Sequence, residues 1–152
     1  MSVIFQSALL LHIILGILAM VASVTLWMVF LKRIQNFRLI KFSAGATFFL
    51  LLGSWISGGY YYLYYYGASV RSVILSGPYP WAHKIVMEAK EHIFLFLPFL
   101  AAVVFFAVLR FREGEAISPV LLRGLAILIT AMTTLIVLMA LGGIAISGAV
   151  RP

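Results

Sequence analysis

Cysteine is absent from the 152 residues, which excludes disulfides, thiolate metal sites and iron–sulfur clusters. Acidic residues are nearly as scarce, being limited to Glu88, Glu91, Glu113 and Glu115. Charged residues of both signs make up 10% of the chain and hydrophobic residues 64%. Soluble domains carry about 25% charged residues, so a water-soluble fold is excluded. No basic residue precedes the first apolar run, so a signal-peptide n-region is missing and the first helix is expected to stay in the mature protein. Neither an HExxH motif nor a tandem repeat is present.

What the chain does have is apolar length. Residues 3–31, 42–66, 81–109 and 121–147 form four apolar runs. Each is close to or above the roughly 20 residues that cross a bilayer as a helix. The predicted fold is all-α: one integral, multi-pass domain over residues 1–152, a four-helix transmembrane bundle in the lipid bilayer.

The formal charge of +7 does not point to nucleic acid, because the basic residues gather in short loops. The first loop holds Lys32, Arg33, Arg38 and Lys41. The third holds Arg110, Arg112 and Arg123 beside Glu113 and Glu115, and the second, residues 67–80, holds Arg71 alone. The positive-inside rule places the first and third loops in the cytoplasm, so both termini are expected on the outer side. The run Tyr60-Tyr61-Tyr62-Leu63-Tyr64-Tyr65-Tyr66 then reads as an aromatic belt at the outer interface.

Polar side chains concentrate in residues 81–98, which contain His83, Lys84, Glu88, Lys90, Glu91 and His92. His12 lies 20 residues from Lys32, and His92 lies 18 from Arg110. Tyr60 and Tyr61 lie 19 and 20 from Lys41, and Gly142 and Gly143 lie 19 and 20 from Arg123. At about 1.5 Å per residue, all are expected in one layer about 27–30 Å above the basic end. That is near the outer edge of the hydrocarbon. The charged turns preceding His92 are then expected above it, and a kink at Pro98 would shift the register by about a turn.

Two faces emerge on this third helix. Trp81, Ile85, Glu88, His92, Leu95 and Phe99 share one stripe, while His83 lines up with Met87 and Lys90 on another. His92 is paired with His12 as the leading candidate site. On the first helix, His12, Gly16, Ala19 and Ser23 form a stripe of small residues below the histidine, admitting a neighbouring helix or a flat cofactor. Two histidines on facing helices suit the axial ligation of one b-type haem, with Arg71, Lys84, Lys90 and tyrosine hydroxyls available to its propionates. The layout resembles four-helix b-type cytochromes and the haem-bearing membrane anchors of respiratory enzymes, which implies an electron carrier. With three histidines, one bis-histidine haem is the maximum.

Other readings stay open. His12, Glu88 and His92 offer nitrogen and oxygen ligands for a zinc, copper or iron ion. Glu88, Lys90, Glu91 and His92 could relay protons, or could simply be a solvated face. The chain could also be a non-catalytic small subunit that packs against other membrane subunits or its own copies. Its Gly-rich last helix, with Gly142, Gly143 and Gly148, and its aromatic rim suit such packing.

Overall fold

A computed structural model describes residues 3–32, 36–112 and 117–150. Arg33, Glu113 and Glu115, which the loop reading counts, lie outside the described residues. The helices are α1 (Val3–Leu31), α2 (Phe37–Tyr61), a π-helical segment π1 (Tyr62–Val70), α3 (Arg71–Ser76), a second π-helical segment π2 (Ala82–Met87), α4 (Glu88–Leu109) and α5 (Pro119–Ala149). Among the described residues there is no strand. Four continuous helical stretches are long and apolar enough to cross a membrane: Val3–Leu31, Phe37–Ser76, Ala82–Leu109 and Pro119–Ala149.

Local signals explain the boundaries. Asn36 accepts a hydrogen bond from the Leu39 backbone N–H at 3.0 Å and caps α2, which starts at Phe37, five residues before the predicted start. Arg38 and Lys41 therefore lie within the helix instead of in a loop. Pro119 opens α5, where the missing amide hydrogen costs nothing. The larger correction concerns residues 67–80. Most of this predicted loop is helical, because no proline interrupts the chain until Pro78, and only Gly77–Pro80 turn. The second stretch thus runs for 40 residues. At about 1.5 Å per residue it is about 60 Å long, twice the hydrocarbon thickness, so its far end and π2 rise as a helical hairpin beyond the span.

The four stretches pack in an up-and-down ring: α1 beside α2 and α5, and α4 beside α2 and α5. Both described chain ends lie at the hairpin end, where Phe5 touches Tyr60 and Tyr65, and Ile146 and Ala149 pack with Tyr66, Ile74 and Ala82. Lys32, Arg38, Lys41, Arg110, Arg112 and Arg123 flank the opposite, basic end.

The burial pattern is that of a lipid-solvated protein. Ile13, Ile17, Phe49, Leu95, Phe106 and Ile127 face outward. Ser23, Ser43, Thr47, Ser54, Ser57 and Thr133 are buried. Lipid tails are as apolar as leucine, so association relies on close approach of small residues and on interhelical hydrogen bonds. Ser23 Oγ lies 2.6 Å from Thr133 Oγ1, joining α1 to α5 in mid-bundle. Thr47 and Ser57 return their hydroxyls to carbonyls of their own helix. Among the described residues no buried side-chain nitrogen or oxygen lacks a partner.

Candidate functional site

The stripe Trp81, Ile85, Glu88, His92, Leu95, Phe99 exists as predicted, and every member is exposed. It looks away from the bundle. The other stripe turns inward: His83 is buried, Met87, Lys90 and Phe94 are half-buried, and Leu97 and Ala101 are buried. His92 is therefore not opposite His12. Phe94 meets the His12 ring edge-on, with centroids 5.6 Å apart. His92, two residues earlier, is rotated about 200° from that contact.

His12 is held on α2. Its Nδ1 lies 2.9 Å from the Ser54 carbonyl oxygen, which only accepts, so Nδ1 carries the proton and Nε2 the lone pair. Ser54 Oγ lies 3.0 Å from the same nitrogen and donates to the His12 carbonyl at 3.2 Å. A Cβ on Gly58 would stand 2.5 Å from His12 Nδ1, so the imidazole fills space that only glycine leaves. The small-residue stripe proves to be a helix seam: Gly16 faces Ser54, and Ser23 meets Thr133. The layer is displaced on α2, where His12 meets Ser54 and Gly58 instead of Tyr60 and Tyr61. Counting from Lys41 began inside a helix that starts at Phe37.

On α5 the two glycines of the predicted layer meet Lys90 and Val86, which the spacing placed above the layer, instead of His92. Lys90 reaches Gly143, its Nζ 3.1 Å from where a Cβ would sit, and Val86 lies equally close to Gly142. Lys90 also lies within electrostatic reach of His12. These two, with Ser54 and Gly143, bring all four stretches together at one level.

A second cluster occupies the hairpin. His83, 4% exposed, accepts a hydrogen bond at Nε2 from Arg71 Nε at 2.9 Å. Its proton is therefore on Nδ1, which donates to the Tyr66 hydroxyl at 3.0 Å. Tyr66 is 2% exposed and stacks on Tyr62 with centroids 5.4 Å apart. Glu91 lies within electrostatic reach of the Tyr62 hydroxyl. Arg71 is thus engaged with a histidine, and the tyrosine run divides by face. Tyr60 and Tyr64 form an exposed rim, while Tyr62 and Tyr66 belong to the cluster.

His92 stays outside. Its Nδ1 lies 2.7 Å from the Glu88 carbonyl oxygen, one turn back, so Nδ1 carries a proton and Nε2 is the nitrogen left to accept in the neutral ring. Glu88 is exposed beside it. Among the described residues no three His, Cys, Asp or Glu side chains converge as a metal site, so His12, Glu88 and His92 do not form one within a chain. Axial ligation of one haem by His12 and His92 within a chain is not assembled either.

His83 and Tyr66 carry no role in the sequence reading. The periodicity of His83, Met87 and Lys90, continuing into Phe94, Leu97 and Ala101, groups His83 with the residues that the structure turns inward. Compared with protein-family models, curated proteins and solved structures, the chain matches none.

Proposed function

We propose that the chain is an assembly subunit of the membrane, working through sideways packing of the outward face of α4 against another membrane chain. The observation that carries this reading is the outward pair Glu88 and His92, set among Ile85, Leu95 and Phe99. Ionisable side chains on membrane helices ordinarily turn inward or pair, and an outward pair at the edge of the hydrocarbon, ringed by apolar side chains, is open to a partner alongside the helix. On the inward side of the same stretch His83 is engaged with Arg71 and Tyr66, and Lys90 lies against Gly143. Toward the basic end, Leu26, Leu97, Val104, Val108, Ile129 and Met132 are fully buried, which argues against a conduit. The loop charges favour the hairpin on the outer side of the membrane.

Native mass in mild detergent and in nanodiscs tests the reading. The expected particle contains at least two chains, where one chain weighs 16.8 kDa. Replacing Glu88 and His92 by alanine reduces it to one. A wild-type chain that is monomeric in both environments and copurifies with no other membrane chain overturns the proposal.

A second reading is an electron carrier with a b-type haem, favoured by His12. Its Nδ1–H is held by the Ser54 carbonyl, which is how ligand histidines are oriented, and its Nε2 is left for iron. Because His92 faces outward, the second axial ligand in this reading would come from outside the bundle. A preparation that stays colourless after haem supplementation ends this reading. A red one that loses its colour on His12→Ala establishes it.

A further inference from the structure

We propose that Glu88 and His92 are half of a divalent-metal site that a second copy of the chain completes. This rests on the lateral-packing reading above and names its partner.

The pair has the features of a half-site. At spacing i, i+4 the two side chains share one helix face, about 6 Å apart along the axis. Both are exposed. The bond from His92 Nδ1–H to the Glu88 carbonyl at 2.7 Å fixes the tautomer and lays the ring over Glu88. A ligating histidine commonly gives its other N–H to a carbonyl in this way and keeps a lone pair for the metal.

No other described group of the same chain completes the set. His12 is on the inner side against Ser54, both ring nitrogens of His83 are engaged, and Glu91 lies within electrostatic reach of the Tyr62 hydroxyl. Among the described residues no convergence of three ligands occurs.

A second copy in the same membrane orientation is related by a two-fold axis along the membrane normal, nearly parallel to α4. Such an axis brings each stripe residue level with its own counterpart. The two His92 then meet at one level and the two Glu88 one turn nearer the hairpin, about 6 Å away, within reach of one ion set between the levels. The Glu88 carboxylates of the two copies would repel each other unless a cation lay between them, and each Glu88 is one turn from the partner's His92. Two imidazole nitrogens and two carboxylate oxygens make a four-donor set suited to a first-row divalent ion such as zinc. Ile85 above and Leu95 and Phe99 below, all exposed, would close over the site on association.

The test uses the full chain in detergent micelles, stripped with EDTA and titrated with zinc chloride, with zinc content and particle mass measured together. The expected result is one zinc per two chains and a dimer that EDTA dissociates. His92→Ala and Glu88→Gln should each weaken zinc binding more than about tenfold, since loss of even an outer-shell partner costs that much. A dimer that forms equally without zinc overturns the metal site and leaves lateral packing standing. A monomer that takes up no zinc overturns the metal site, and overturns lateral packing as well if no other membrane chain copurifies with it. Zinc bound one per chain and indifferent to His92→Ala also overturns the proposal.

Discussion

Arg71 donates its Nε–H to Nε2 of His83 across 2.9 Å, so a guanidinium is hydrogen-bonded to a neutral imidazole. The bond joins α3 to π2, and through Tyr66 it reaches π1, so one histidine ties together the two arms of the hairpin. Tyr66→Phe keeps the ring stack on Tyr62 and removes one hydrogen bond. Thermal unfolding in detergent should show a loss of about 1 kcal/mol. His83→Ala leaves the buried Tyr66 hydroxyl without its partner and should cost more, about 1–3 kcal/mol. Arg71→Lys should resemble loss of the bond, because an ammonium cannot reproduce a donor fixed on a planar fork. If Tyr66→Phe and His83→Ala are equally harmless, the hairpin is held by apolar contacts alone.

Ser23 and Thr133 form the hydroxyl pair between α1 and α5, both buried at mid-bundle. Interhelical hydrogen bonds of this kind are worth about 0.6 kcal/mol on average in membrane proteins, because partners are also found in the unfolded membrane state. Ser23→Ala should therefore lower stability by about 1 kcal/mol or less. Ser23→Leu should cost more than about 2 kcal/mol, since the position is sealed and extra methylenes have nowhere to go. Steric trapping or unfolding in mixed micelles would read both. A larger effect for alanine than for leucine would contradict the seam described here.

Much of the fold was legible because membrane helices are written in length and composition. The four apolar runs and the basic loops between them determine number and order, and α1 and α4 end where charge begins. Residues 67–80 read as a loop because they end in the turn-like Ser76-Gly77-Pro78-Tyr79-Pro80, yet helical backbone satisfies its own hydrogen bonds even where it leaves the bilayer. The orientation of α4 is a different kind of failure. Periodicity separated the stripe of His92 from that of His83 and Lys90, but it does not say which stripe faces in. In lipid, polarity does not decide that question as it does in water. Both stripes carry titratable residues, and the apolar members are equally at home on either side. The tertiary neighbours decide: Gly142 and Gly143 of α5 leave space for Val86 and Lys90, and Ser54 with Gly58 of α2 leaves space for His12.

Gly142 and Gly143 make a paired test of that packing. A Cβ on Gly143 would meet the Lys90 Nζ at 3.1 Å, the far end of a flexible chain that can give way. A Cβ on Gly142 would meet Val86 Cγ1 at 3.1 Å, a branched side chain with little freedom. Gly143→Ala should stay within about 0.5 kcal/mol of wild type, and Gly142→Ala should cost about 1 kcal/mol. Thermal scans of the two variants under one set of conditions decide it. The reverse order would mean that the Lys90 ammonium is more rigidly placed than the Val86 methyl.

The adjacent glycines 58 and 59 give the sharpest test of the His12 site. A Cβ on Gly58 would stand 2.5 Å from His12 Nδ1 and 2.8 Å from Cε1, closer than any real contact, whereas a Cβ on Gly59 would meet nothing within 4 Å. Gly58→Ala must push the imidazole off the Ser54 carbonyl, giving up the hydrogen bond as well as the fit. A cost of about 2–3 kcal/mol follows. Gly59→Ala gains helix propensity without a clash and should be neutral or stabilising by up to about 1 kcal/mol. The two effects differ in sign although the positions are neighbours and the substitution is identical, so general destabilisation of α2 cannot imitate them. A double-mutant cycle completes the test. With His12→Ala in place the obstacle is gone, and Gly58→Ala should then cost less than about 1 kcal/mol, a coupling well above the usual additivity error. Additive costs for His12→Ala and Gly58→Ala would show that the imidazole does not lie against Gly58, and the Ser54 clamp that leaves Nε2 free would fall with it.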